Sequence, residues 1–170
     1  MMKPFFSVLV PIYNVEKYLM CCLDSLINQT LHNIQIICIN DGSSDNSLNI
    51  LKMFAQRDDR IHVIHQENKG YGAALNKGFQ YIQADYTVIV EPDDFLAKNA
   101  FELFFNEIQS YPYADIIKHA YWNFLETHGE RQITPSSSSQ LALPDRPFRV
   151  TQYPQLLLYH PSIWTCNCFQ

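Results

Sequence analysis

No stretch of this chain is apolar for long enough to cross a membrane, which takes roughly 20 consecutive residues. Met1 to Phe6 enters a strand at once and lacks the apolar core and cleavage site of a signal peptide. There is no lysine and arginine block, and the net charge is -5. Phosphate backbones need clustered cations, so nucleic acid is excluded as the main partner. Small phosphorylated ligands stay open, because a metal can supply the positive charge. A disulfide framework is also missing. The five cysteines are Cys21, Cys22, Cys38, Cys166 and Cys168, an odd number, and Cys166-x-Cys168 is too short for a zinc knuckle. They read as reduced thiols of a cytosolic protein. No internal repeat and no linker divides the chain.

What is present is a globular composition. Apolar residues make up 47% of 170 positions and charged residues 17%, enough for one domain with a real core. Strand and helix patterns alternate. Ser7 to Ile12, Ile34 to Ile39, Ile61 to His65 and Tyr86 to Val90 are short apolar runs, read as strands. Helical spacing recurs over Val15 to Ile27, Leu48 to Ala55, Tyr71 to Phe79 and Phe101 to Ile108. Ala114 to Lys118 opens a further strand. Beyond Trp122 the pattern weakens, with a loop at Pro135 to Ser139 and a short helix expected over Gln152 to His160. Ser162 to Gln170 reads as the start of something apolar. Alternation of this kind implies right-handed crossovers and a largely parallel sheet.

Three strands end in polar residues: Pro11-Ile12-Tyr13-Asn14-Val15-Glu16, Asn40-Asp41-Gly42-Ser43-Ser44-Asp45, and Glu91-Pro92-Asp93-Asp94. Each is compatible with turn chemistry alone, and Asp also caps helices. Together, at the carboxyl ends of strands, they favour a ligand crevice. The acids after Val88-Ile89-Val90 cannot stay unpaired inside a sheet, so they emerge at its edge. An oxygen-rich anionic site there suits Mg²⁺ or Mn²⁺ bridging to a phosphorylated ligand. Gly70-Tyr71-Gly72 imitates half of a dinucleotide fingerprint, with Glu91 about 20 residues on. Leu75 stands where that motif needs Gly or Ala, and the third strand is the wrong place for it. No P-loop motif occurs. His62 and His65 read as a polar strand face, Asp58-Asp59-Arg60 as a solvated helix end, and the aromatics of the fourth helix as core.

These motifs, in this order, with Leu23-Asp24-Ser25-Leu26-Ile27-Asn28-Gln29-Thr30, Glu67-Asn68-Lys69-Gly70 and Asn76-Lys77-Gly78, resemble the family 2 glycosyltransferases over about residues 5–125. The resemblance implies an α/β class, a three-layer α/β/α sandwich of GT-A type with a mostly parallel central sheet. It implies a nucleotide-sugar-binding core at residues 1–125, with 126–170 beginning the acceptor side of the same domain. Pro11, Tyr13, Asn14 and Glu16 resemble the wall of the nucleotide pocket, and Asp41 the acid that bonds the base. Lys69 and Gly70 would lie near base and diphosphate. Glu91-Pro92-Asp93 stands at the D-x-D metal motif, with Asp93 the expected direct ligand of Mg²⁺ or Mn²⁺ and Glu91 its companion. Asp94 would line the sugar and acceptor side and is the one candidate catalytic residue. The family's base lies in a later acidic motif that this chain does not reach. Departures are Asn40 for the first Asp of its pair, Leu75 for an Arg, and Glu91 for Asp.

The expected activity is transfer of a sugar, UDP-sugar being the expected donor class, to a glycan or lipid-linked glycan hydroxyl, with inversion at the anomeric carbon. A cation on the diphosphate would stabilise the leaving charge. The expected location is the cytoplasm, with peripheral attachment at the inner membrane face. Two rivals stand beside it: a truncated fragment that binds donor without transfer, and a sugar nucleotidyltransferase. The second normally opens with a Gly-rich basic loop that Pro11-Ile12-Tyr13-Asn14 lacks.

Overall fold

A computed structural model describes residues 3–112, 116–118, 122–127, 130–135 and 164–167. The chain runs through β1 (Phe6–Ile12), α1 (Glu16–Ile27), β2 (Ile34–Asp41), α2 (Ser47–Ala55), β3 (Ile61–Gln66), α3 (Tyr71–Phe79), β4 (Tyr86–Ile89) and α4 (Ala100–Ser110). The described strands that follow are β5 (Ile116–Lys118), β6 (Trp122–Thr127), β7 (Glu130–Pro135) and β8 (Trp164–Asn167).

Six strands form one sheet in the order β3-β2-β1-β4-β8-β5. The first four are parallel. Phe6 faces Ile34 and Ile12 faces Asn40 across β1 and β2, while β1 and β4 stay in register from Phe6 and Tyr86 to Leu9 and Ile89. β3 pairs with β2 from Ile61 opposite Ile36 to Gln66 opposite Asp41. β8 runs antiparallel between β4 and β5, and β6 pairs with β7 as a separate antiparallel hairpin.

Every residue of β1 and β2 is buried. Both faces are covered, so the two strands are mostly apolar without regular alternation, and two of the polar residues they do hold, Ser7 and Gln35, bond each other. Alternation survives in the partners. Phe6, Val8, Val10, Ile12, Ile36 and Cys38 join α1, α2 and α4 in one core. Leu9, Ile37 and Ile39 join Ala74 of α3 in a second. The helices thus make two outer layers on a central sheet. Helix α3 comes close to the sheet at Gly78, where an added Cβ would sit 2.8 Å from Ile39 Cδ1 and 3.1 Å from Leu9 Cδ2. The small residue needed for close helix–sheet contact is therefore Gly78, and Leu75 only packs at the rim of that core.

Some expectations are revised. Asp58–Asp59–Arg60 is more than a solvated helix end: the Arg60 guanidinium pairs with Asp58 at 2.6 Å and donates to the Ile27 and His32 carbonyls. It ties the end of α1 to the start of β3. Asn40 and Asp41 close β2 and do not follow it, and β4 stops at Ile89, one residue early. The β6–β7 hairpin and β8 were not legible, because their sequences lack a clean alternation and β8 pairs with strands distant in sequence. The helix expected over Gln152 to His160 lies outside the described residues.

Candidate functional site

The strand order places a switch point between β1 and β4. From β1 the chain winds outward through β2 and β3, then returns to the far side of β1 as β4. The strand order reverses there, with α3 crossing the opposite face of the sheet from α1, α2 and α4, and the carboxyl edge at such a point is where a crevice forms. The described β1–β4 ladder ends at Leu9 and Ile89, with a last bond from Val90 N to Leu9 O at 3.0 Å. Pro11, which has no N–H to donate, lies beyond that last pair, where a proline is tolerated in a central strand.

Two loops of the edge are stitched together. Asn14, at φ 51, accepts from Ser44 N at 2.8 Å, and its own N–H donates to Ser43 Oγ at 3.1 Å. The Glu16 carboxylate accepts from Asn46 N at 2.7 Å, while Asp45 accepts from Glu16 N at 2.9 Å and Ser47 N at 3.0 Å. Glu16 N at the start of α1 and Asn46 N just before α2 are thus capped by carboxylates of the opposite loop, while Ser47 N is capped by Asp45 of its own loop. Burial works against the charge on Asp45, but these bonds outweigh it and hold its carboxyl below the ordinary range. The side-chain oxygens of Asn14 and Glu16 are therefore engaged by the neighbouring loop. Tyr13 between them is 50% exposed.

Asp41 is buried. Its Oδ1 accepts from Lys69 N at 2.9 Å and Gln66 Nε2 at 2.7 Å, and its Oδ2 from Gly70 N at 2.8 Å. Burial raises its pKa, yet the three hydrogen bonds and the Lys69 charge win and lower it. Three of about four acceptor positions are filled, so Asp41 shapes the turn before α3. That turn needs Gly70 at φ 87 as the helix cap, and Gly42 at φ 70, where a Cβ would lie 2.6 Å from Asn68 N. Buried Asn40 completes this corner: its Oδ1 accepts from Ser43 N, and its amide nitrogen lies 2.9 Å from His65 Nδ1.

Across the crevice, Glu91 accepts from Tyr71 Oη at 2.6 Å. Asp93 is exposed and Asp94 half-buried. Burial first, then the charges of Asp93 and Glu91, hold the Asp94 carboxyl above its ordinary range. The acids sense one another, but among the described residues no three His, Cys, Asp or Glu side chains converge as a metal cage. One or two carboxylates suffice for Mg²⁺ or Mn²⁺ when phosphate oxygens complete the shell, so Glu91 and Asp93 fit such an ion. The Cys22 thiol, near the Glu91 carbonyl at 3.7 Å, is pushed up by burial and stays a neutral packing group.

Ser25 and Gln29 are contributions that residue reading missed. Buried Gln29 donates to Ser25 O and Ala97 O and accepts from Phe101 N, while Ser25 Oγ accepts from Leu96 N. They clamp the segment after Asp94 against α1. The only signal was the Leu23 to Thr30 block, legible as pattern and not as mechanism.

The sequence model of glycosyl transferase family 2 matches residues 7–168. The chain belongs to glycosyl transferase family 2. Among curated relatives, glycosyltransferase GlyG of Streptococcus pneumoniae is 41% identical over 129 residues, covering 75% of this chain and 42% of the relative. Staphylococcus aureus TarS, solved in complex with UDP-GlcNAc, superposes with TM-score 0.63 at 25% identity, covering 67% of this chain and 33% of TarS. A Pyrobaculum calidifontis mannosyltransferase in complex with GDP-Man and Mn²⁺ shares the fold, with TM-score 0.62 at 18% identity over 69% of this chain and 36% of that one. The family 2 chain thus spans less than half the length of these proteins. Among its described residues no helix is long and apolar enough to cross a membrane.

Proposed function

We propose that the crevice between β1 and β4 receives a nucleoside-diphosphate sugar, and that the chain serves transfer of that sugar to a hydroxyl of a glycan or lipid-linked glycan. The observation that carries this reading is the side-by-side ending of β2, β1 and β4 at one edge, with Asp41, Tyr13 and the Glu91–Asp94 segment at the three ends. TarS binding UDP and UDP-GlcNAc supports a UDP-sugar as donor.

Each residue has a physical task. Pro11 and Tyr13 form the wall against the base, where an exposed aromatic face favours stacking. Asn14 and Glu16 keep that wall in place through the 43–47 loop. Asp41 fixes the turn that sets Lys69 and Gly70 at the start of α3. A helix N-terminus beside a lysine attracts a diphosphate. Glu91 and Asp93 would hold Mg²⁺ or Mn²⁺, which when bound neutralises charge on the leaving diphosphate. Asp94 lines the sugar and acceptor side, and a carboxyl held above its ordinary range is a stronger proton acceptor once ionised. In this reading residues 1–125 are the donor-binding core and 126–170 begin the acceptor side. The free buried thiols Cys22 and Cys38 support a reducing compartment. We therefore assign the reaction to the cytoplasm, with peripheral membrane contact made through the acceptor.

The test is a binding titration with UDP, UDP-GlcNAc and GDP-mannose, with and without Mn²⁺. At least one should bind, more tightly with Mn²⁺, and Asp93→Ala should erase the metal effect. No binding to any of them would overturn the donor site; unchanged metal dependence in Asp93→Ala would overturn the metal assignment. A transfer and hydrolysis assay then separates an active transferase from a chain that binds donor without turnover.

A further inference from the structure

Glutamate at position 91 raises a positional problem. Its side chain has one more rotatable bond than aspartate and ends on a half-buried loop at the crevice mouth. An unrestrained Glu loses more rotamer freedom than Asp when it must hold one position. The structure supplies a restraint from the opposite side. The Tyr71 hydroxyl donates to Glu91 Oε1 at 2.6 Å, the short range of a charge-assisted bond. Tyr71 is the first residue of α3 and is itself anchored. Asp41 grips the backbone N–H groups of Lys69 and Gly70 just before it, and Gly78 seats the far end of the helix on Ile39 and Leu9.

We propose that Tyr71 is a positioning residue that locks the Glu91 carboxylate at the crevice mouth, occupying Oε1 and leaving Oε2 to a divalent cation. The proposal rests on the donor-site reading above. Its physical content is preorganisation: the arm is ordered before the ligand arrives, so less freedom is lost on binding. It also joins the two walls. The chain of contacts runs from the end of β2, through Asp41 and the Lys69–Gly70 turn, to Tyr71 and on to Glu91 at the end of β4, passing over β1.

The experiment is a Mn²⁺ titration of the full chain in the presence of UDP, followed by the electron paramagnetic resonance signal of free Mn²⁺. It compares the wild type, Tyr71→Phe, Glu91→Gln, Glu91→Asp and the doubles of Tyr71→Phe with each Glu91 variant. Tyr71→Phe should weaken Mn²⁺ binding about three- to tenfold, the size of one hydrogen bond. It should add nothing to Glu91→Gln, and little to Glu91→Asp, whose shorter arm falls short of the phenol. A merely structural role would lower affinity equally in every background. Equal or tighter binding by Tyr71→Phe, or additive losses in the doubles, overturns the proposal. A wild type that binds Mn²⁺ with UDP but is indifferent to Glu91→Gln also overturns it, while leaving the donor site standing. A wild type that binds no Mn²⁺ with UDP brings down the metal assignment and this inference together. Tyr71 is half exposed, so Tyr71→Phe should fold, which the thermal melt verifies.

Discussion

Two carboxyl groups of the crevice respond to pH in opposite directions. Asp41 is held below its ordinary value of 3.8 by three hydrogen bonds. Its contribution to stability is therefore complete above that value and is lost as the pH falls through the depressed folded value. Asp41→Asn should flatten the acid limb of a pH–stability curve measured by urea unfolding. Asp94 is held above 3.8, so its ionisation weakens the fold as the pH rises through its folded value. Asp94→Asn should raise the melting temperature at neutral pH, and the gain should vanish near pH 3. If Asp94→Asn melts lower than wild type at neutral pH, burial and the charges of Asp93 and Glu91 are not what set its state. Asp41 was legible in the sequence as a site residue, but its bonds to Lys69 and Gly70 were not, since they cross from one loop to another.

At the level of elements, the glycines and the crossed caps are the points of least tolerance. Gly78→Ala would push a methyl group into Ile39 and Leu9 and should cost about 1–3 kcal/mol by overpacking. Gly42→Ala meets backbone at 2.6 Å and a left-handed φ of 70, so it should cost more. Asp45→Ala removes bonds to the starts of both α1 and α2. Each lost cap costs about 1 kcal/mol, so chemical denaturation should show roughly twice the loss of a single-cap variant. The elements themselves were readable because β1 through α4 follow strict alternation of short apolar runs with helical spacing. The cross-loop capping was not, because Asn46 and Val15 begin their helices with no side-chain cap of their own. Asp45 gives α2 a local cap at Ser47, but nothing local signals the cap of α1, and the partners of the crossed bonds sit about thirty residues away in sequence.

For the molecule as a whole, donor and metal should act together. A ligand at a hundredfold excess over its Kd stabilises the fold by about 2.7 kcal/mol. For a chain of this length that is a rise on the order of 5–10 °C. UDP with Mn²⁺ should produce such a shift by differential scanning fluorimetry, and either alone should produce less. An equal shift with UDP alone would show that the carboxylates at β4 play no part in retaining the nucleotide. Whole-molecule architecture was legible as far as α4, where contacts are local or between neighbouring strands. It faded at the hairpin, whose strands lack a clean alternation, and at the strand that separates β4 from β5, which pairs across a long stretch of sequence.

That last strand has a consequence for how the protein comes into being. β4 and β5 are made early, yet Trp164–Asn167 must slip between them, so the ribosome releases the wedge long after the gap it fills. Until then one flank of the nascent sheet carries bare amide and carbonyl groups, an invitation to mispairing. Nascent chains arrested before Trp164 should therefore be captured by holdase chaperones, and those arrested well beyond Asn167 should escape.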